Sequence, residues 1–173
     1  QGNCTAIAFD ISKFFDTLDH GLLKNAWKKL LGVDNLPSDH FAVFKGLTKF
    51  STVNRDKLLS ALNISTHNPR SGGRRRLCQP EEFRSKVRGG DLVKKNIEKK
   101  GIPQGTAISA LLSNVYMLEF DLAAQKKVGE VGGSYFRYCD DMLFIVPSAS
   151  EAHIKSFAEE KIQEILLEVN PDK

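Results

Sequence analysis

Cysteine is scarce: Cys4, Cys78 and Cys139 are the three in 173 residues, odd in number and far apart. With no C-x-x-C pair among them, neither a disulfide framework nor a zinc site is indicated. A reducing cytoplasm is the simplest setting for such thiols. No apolar run approaches the roughly 18 residues of a membrane-spanning helix, so no membrane partner is expected. No secretory leader is expected either, because the chain opens Gln1-Gly2-Asn3 and reaches a hydrophobic strand almost at once. There is no internal repeat. There is also no initiating Met, and the chain ends on Lys173 just after a predicted helix, so it reads as a piece cut from a larger protein. What remains is 41% hydrophobic and 27% charged, which suits a globular domain with a real core.

The net charge of +4 is modest but unevenly spread. Residues 70–100 hold eleven Lys/Arg against four Asp/Glu, a local +7 that leaves the rest of the chain at −3. A concentrated basic segment on a slightly acidic body suits a polyanion partner, although a charge run is also what a solvated loop shows.

Periodicity predicts a buried strand over "CTAIAFDI" (4–11), closed by Asp10. Asp19 is placed to cap a helix with the stripe Leu22, Leu23, Ala26, Trp27, Leu30 and Leu31, which Gly32 stops. After Pro37, Ser38 is placed to cap a second helix burying Phe41, Phe44 and Leu47. Residues 48–64 look mixed, a strand or hairpin, and 69–90 read as loop with a short helix near 80–87. Ile108, Leu111, Leu112, Val115 and Leu118 outline a helix over 106–122. The last helix carries Ile154, Phe157, Ala158, Ile162, Ile165, Leu166 and Val169 on one face, with Ser148 and Glu151 as a capping box and Asn170-Pro171 as its end. This order suits an α+β fold, an antiparallel sheet with helices on one face.

The hairpin "YFRYCDDMLFIV" (135–146) sets two adjacent aspartates, Asp140 and Asp141, between apolar runs. Divalent cations reconcile clustered carboxylates with such surroundings, and Mg²⁺ prefers hard oxygen ligands. Two ions about 4 Å apart can clamp the attacking and leaving oxygens of a phosphoryl transfer. A doublet supplies too few carboxylates for two ions, and Asp10, which also closes an apolar strand, is the natural third. Their convergence at one sheet edge is the expectation; a plain polar turn is the alternative.

Three further stretches, "AFDISKFFDTLDHGLL", "GIPQGTAISALLSNVYMLEFD" and the terminal "NPDK", occur in order around "YFRYCDDMLF". Together the four resemble the central motifs of reverse transcriptases, over nearly the whole chain apart from 48–100. The second stretch looks most like the bacterial lineages: group II intron, retron and antiviral-defence enzymes, with the arginine-rich segment leaning toward defence.

The resemblance implies a ferredoxin-like polymerase palm formed by 1–47 and 101–173, with 48–100 as a basic, fingers-proximal insertion, and with fingers and thumb outside this stretch. It implies an RNA-directed DNA polymerase that takes an RNA template, a DNA or RNA primer and dNTPs, using two Mg²⁺ ions that Mn²⁺ can replace. Asp10, Asp140 and Asp141, with the backbone of Ile11, would hold the metals. Phe15 falls where the family sets an aromatic that excludes a ribose 2′-hydroxyl; core packing beside Phe14 is its other reading. Gln104 and Gly105 would contact the nucleotide or template, or simply turn the chain into a helix. Lys173 would protonate the departing pyrophosphate. Tyr138 and Cys139, the first half of the "YCDD" tetrad, would adjust primer contact. Arg70, Arg74, Arg75, Arg76, Arg84 and Arg88 are phosphate contacts that bind by charge. Ser109, Ser113 and Asn114 lie on the less apolar side of their helix, toward template–primer or toward water. "RGGDL" (88–92) resembles the signature of nucleotide cyclases but reads as a turn. Two other functions stay open: a non-catalytic nucleic-acid-binding domain of the same fold, and a polymerase that is template-independent or makes RNA.

Overall fold

The computed structural model describes residues 3–73 and 75–171. They fall into two compact units, one up to Thr48 and again from Glu98, the other Lys49–Ile97.

The first unit begins with β1 (Cys4–Asp10), the short α1 (Phe14–Thr17), α2 (His20–Leu31) and α3 (Ser38–Thr48). The second unit follows with β2 (Ser51–Val53), α4 (Arg55–Ala61), α5 (Pro80–Glu82) running into a π-helical turn (Phe83–Arg88), and β3 (Val93–Lys95). The chain then returns to the first unit with α6 (Ala107–Glu130), β4 (Ser134–Tyr138), β5 (Asp141–Pro147) and α7 (Glu151–Glu164).

In the first unit β5 is the central strand, antiparallel to β1 on one side and β4 on the other. On the far side of β1 a single antiparallel bridge, Ile11 to Val169, stands where a fourth strand would run. That order, in a chain running strand, helix, two strands, helix, final bridge, is the ferredoxin-like arrangement, with one bridge among the described residues at the place of its last strand.

Side chains along each strand alternate between faces, as the pleat requires. Ile7, Phe9, Met142, Phe144 and Val146 enter the core; Phe9 and Phe144 meet edge to face, ring centroids 5.7 Å apart. Leu112, Met117, Phe120 and Ala124 of α6, with Ile154, Ala158 and Ile162 of α7, belong to the same buried cluster. The opposite sheet face stays open and carries Ala8, Phe136, Leu143 and Ile145.

Several expectations need correction. Asp19 does cap α2, accepting from the Leu22 amide, and Gly32 ends it in a left-handed conformation. Its buried stripe stops at Trp27, however, leaving Leu30 and Leu31 exposed. In α3 the first carbonyl to accept is that of Pro37, not a Ser38 cap. Phe41 is exposed rather than core, with the ammonium groups of Lys24 and Lys45 at 5.1 and 5.0 Å from its ring centroid.

Helix α6 is longer than 106–122, and by length and composition it would suffice to cross a membrane, contrary to expectation. It is the helix around which the core is assembled, which accounts for its apolar character. Before α7 a 3-10 turn (Ser148–Ser150) replaces the expected capping box. The helix ends at Glu164, not near 170, and Leu166, at φ +58°, turns the chain back toward β1.

In the second unit β2 pairs with β3, and Asn54 caps α4, a helix missing from the mixed reading of 48–64. The Glu82 carboxylate accepts the Gln79 amide at the start of α5, and Leu59, Ile64 and Val87 are buried. Gly89 to Asp91 is a turn, as read.

The loop before α6 is fastened to the segment after β1. Gly101 donates to the Leu18 carbonyl (2.9 Å) and accepts from His20 Nε2 (2.7 Å), while the Ile102 amide donates to the Phe15 carbonyl (2.8 Å). At φ +83°, with a Cβ that would lie 2.9 Å from the Asp16 carbonyl oxygen, position 101 needs glycine. Gly101→Ala should cost about 1–3 kcal/mol, read as a lowered midpoint in urea melts.

Tyr116 of α6 donates through its hydroxyl to the Ile165 carbonyl (2.6 Å), and burial pushes its phenol up to about 12 from the ordinary 10.0. A pKa raised on folding gives stability that is complete below pH 10 and lost as pH climbs through 12. Alkaline melts should fall over that window, and Tyr116→Phe should flatten part of the fall.

Candidate active site

Register decides which residues meet. Asp10 stands directly across from Asp141 in the β1–β5 ladder, and Tyr138 across from Asp141 in the β4–β5 hairpin. Cross-strand partners share a face, so all three belong to the open face, in the row beyond Ala8, Leu143 and Phe136. The aspartates therefore do not enter the core that their apolar neighbours build. Cys139 and Asp140 form the two-residue turn, with Cys139 at φ +58°. The Ile11 amide donates to the Asp140 carbonyl (3.2 Å), which ties the turn to the end of β1.

Asp10 is only 9% exposed, because residues 168–170 lie along the end of β1. The Asn170 side-chain amide donates to Asp10 Oδ2 (2.8 Å), and its backbone amide donates to the Asp10 carbonyl (2.7 Å). Burial, followed by a hydrogen bond with the Asp140 side chain, pushes the Cys139 thiol up.

Backbone register thus brings Asp10, Asp140 and Asp141 to one sheet end. Among the described residues, though, no three His, Cys, Asp or Glu side chains are gathered as around an ion. The convergence expected at one sheet edge is thus present in the backbone, while Asp10 turns one side-chain oxygen to Asn170. The donor set itself, hard carboxylate oxygens at adjoining backbone positions, fits Mg²⁺ or Mn²⁺.

The hairpin is braced from below. Arg137 forms a bidentate pair with Asp121 of α6 (Nε–Oδ1 2.8 Å, Nη2–Oδ2 2.7 Å). Its remaining nitrogen donates to the Cys139 carbonyl (2.8 Å) and to Asn114 Oδ1 (3.1 Å). The Tyr135 hydroxyl donates to Asp121 Oδ1 (2.7 Å); burial first, then the Asp121 carboxylate, push this phenol far up. One guanidinium therefore holds the carbonyl of the left-handed turn residue and anchors it to α6.

The other expected site residues divide. Phe15 is half-buried, its ring 5.4 Å from that of Phe14, and its carbonyl accepts from Ile102 in the loop that carries Gln104 and Gly105. Gln104 and Gly105 are exposed, with Gly105 at φ +90°. Ile11 is 2% exposed and Tyr138 is 85% exposed. Ser109 and Ser113, expected at the surface, are buried: one hydroxyl pairs with Thr106, and the other donates to the Ala110 carbonyl. Arg70, Arg75, Arg76, Arg84 and Arg88 are exposed on the second unit, and Arg84 is paired with Glu81 (2.7 Å). Lys173 and Arg74 lie outside the described residues.

Sequence reading missed Asn170, Arg137 and Asp121. Asn170 was read as a helix stop. Arg137 and Asp121 had a signal in hindsight: charges inside two otherwise apolar segments, one of each sign.

The site is thus a small antiparallel sheet backed by helices, with carboxylates paired at the end of its open face. The chain belongs to the family "Reverse transcriptase (RNA-dependent DNA polymerase)", whose model matches residues 1–173. Among solved structures it is similar to apo telomerase from Candida tropicalis (TM-score 0.58, 16% identity, 100% of this chain, 28% of that one). It is also similar to telomerase from Candida albicans in complex with a TWJ fragment of telomeric RNA (TM-score 0.53, 14% identity, 99% and 27%). At these identities the likeness is one of fold, and the chain spans less than a third of the length of either. No curated protein matches at a significant level.

Breaking the brace should be costly, since the Arg137 and Asp121 side chains are 8% and 20% exposed. Asp121→Ala, which strands a mostly buried guanidinium, should lower stability by about 3–5 kcal/mol in denaturant titration. Arg137→Lys, which keeps the charge but loses the fork, should cost less and still move the amide resonance of Cys139 in NMR spectra.

Proposed function

We propose that the chain is the palm of an RNA-directed DNA polymerase that extends a primer 3′-hydroxyl with dNTPs along an RNA template. The observation that carries this reading is the Asp10–Asp141 register in a member of the reverse transcriptase family. Residues 1–47 and 101–173 are the palm in this proposal, 48–100 a basic insertion, and the setting is a reducing bacterial cytoplasm. Among the roles, retron, group II intron or antiviral defence, the arginine-rich insertion favours the last.

Asp10, Asp140 and Asp141, with the Ile11 backbone, would hold two Mg²⁺ ions, which would supply an acidified 3′-hydroxyl and neutralise phosphate charge. Phe15 closes the space a ribose 2′-hydroxyl would need, a role that its half-exposed ring leaves available. Gln104 and Gly105 bear on the nucleotide; the positive φ of Gly105 gives a bare backbone for close approach. Tyr138, exposed on the row of Asp10 and Asp141, supports the primer end beside Cys139. Arg70, Arg74, Arg75, Arg76, Arg84 and Arg88 hold phosphates, so affinity should weaken with salt. Lys173 donates a proton to pyrophosphate.

A second reading has its own observation. Phe136 and Tyr138 are exposed on the open sheet face, as in domains that stack single-stranded bases without catalysis. Primer extension by the full-length parent on an RNA template separates the two. Asp141→Asn should reduce extension at least about a thousandfold, by the scale of losing a metal's electrostatic contribution. Unchanged extension would remove the polymerase assignment. Phe15→Ala should raise NTP incorporation relative to dNTP; an unmoved ratio would remove Phe15 as the sugar gate.

A further inference from the structure

Asp10 is the most enclosed of the three carboxylates, and the segment enclosing it follows α7. The Leu167 amide returns to the Ile162 carbonyl (3.1 Å), Leu166 takes a positive φ, and the Leu167 side chain, 1% exposed, anchors in the core. Residues 168–170 then run antiparallel to the end of β1. The Ser12 amide donates to the Glu168 carbonyl (2.8 Å), Ile11 faces Val169, and the Asn170 amide donates to the Asp10 carbonyl (2.7 Å). Pro171 favours an extended conformation for the residue before it, the one this pairing uses. At the end of this ladder the Asn170 carboxamide meets Asp10 Oδ2 at 2.8 Å.

We infer that Asn170 is a positioning residue that orients the Asp10 carboxylate for a divalent cation. The inference rests on the metal-binding reading proposed above and extends it to a residue outside the three aspartates.

The chemistry of a carboxamide suits this work better than the alternatives. Its N–H₂ fixes one carboxylate oxygen by a hydrogen bond while leaving the negative charge in place for a cation. A lysine there would cancel that charge, and an aspartate would repel it. Backbone and side chain of the same residue hold Asp10 at two points, so the carboxylate is referenced to the ladder that carries it. The end of α7, its left-handed reversal and the single strand-like bridge thus become parts of the site, although they supply no ligand.

The test uses this chain, with Mn²⁺ as the probe, titrated by calorimetry and followed by EPR, and with melting measured in EDTA and in Mn²⁺. Asn170→Ala keeps both backbone bonds and should weaken Mn²⁺ binding about tenfold or more, as loss of an outer hydrogen-bond partner does at other metal sites. Asn170→Asp keeps the shape and places a second carboxylate against Asp10. It should melt lower than wild type in EDTA and recover more than wild type gains when Mn²⁺ is added. In the full-length parent, Asn170→Ala should lower kcat with little change in the KM for dNTP.

A merely structural role predicts lower melting for Asn170→Ala with unchanged Mn²⁺ affinity, and that result overturns the inference. Equal destabilisation of Asn170→Asp with and without Mn²⁺ overturns it too, and is readable even if Asn170→Ala fails to fold. Asp10→Asn separates the two levels. If Mn²⁺ binding does not depend on Asp10, the metal reading itself fails. If it depends on Asp10 and not on Asn170, only the present inference does.

Discussion

An antiparallel ladder admits no half measures: a shift of one residue sends every side chain to the other face. The site here depends on that rule. Ile7 against Phe144 and Phe9 against Met142 bury one face of the β1–β5 pair, and this burial forces Ala8 with Leu143, then Asp10 with Asp141, onto the other. The apolar residues around the aspartates therefore set the register that keeps the carboxylates out of the core. Two charges amid a hydrophobic run are consistent with a pleat whose one face is dry and whose other face is open.

Helix α6 extends that order beyond the sheet. Its entry loop is fastened to Phe15 and Leu18, its middle turns send Tyr116 to the end of α7, and Asn114 and Asp121 grip Arg137 beneath the hairpin turn. The loop carrying Gln104 and Gly105, the Cys139–Asp140 turn and the return toward Asn170 thus share one rigid reference. Such cross-bracing explains why a helix with enough apolar character to pass for a membrane span carries polar groups at selected positions.

Much of this was readable in the residues. β1, the hairpin, the Asp19 cap and the Gly32 stop are local features, and period, cap and turn chemistry announce them. What stayed hidden was tertiary. Ser109 and Ser113 read as a polar helix face, yet small hydroxyls bonded within their own helix can be buried at little cost. Leu30 and Phe41 read as core because periodicity counts apolar residues without knowing where the neighbouring helix ends. The end of α7 was placed too late because Ile165, Leu166 and Val169 continue its pattern in sequence after the backbone has turned away. The three aspartates were legible as residues, but the partners of Asp10 and of the turn were not, since each is a contact between distant segments.

Among the described residues the fourth position of the sheet is a single bridge, and this has a cost. Among the described residues β1 is an edge strand, with only its last turn covered by 168–170. From Cys4 toward Phe9 its outward amides and carbonyls form a ready seam for another chain, and Ala6 and Ala8 set no charge there to repel one. An open strand edge of this kind is where a further strand pairs most readily, so association through paired strands is the hazard this border carries.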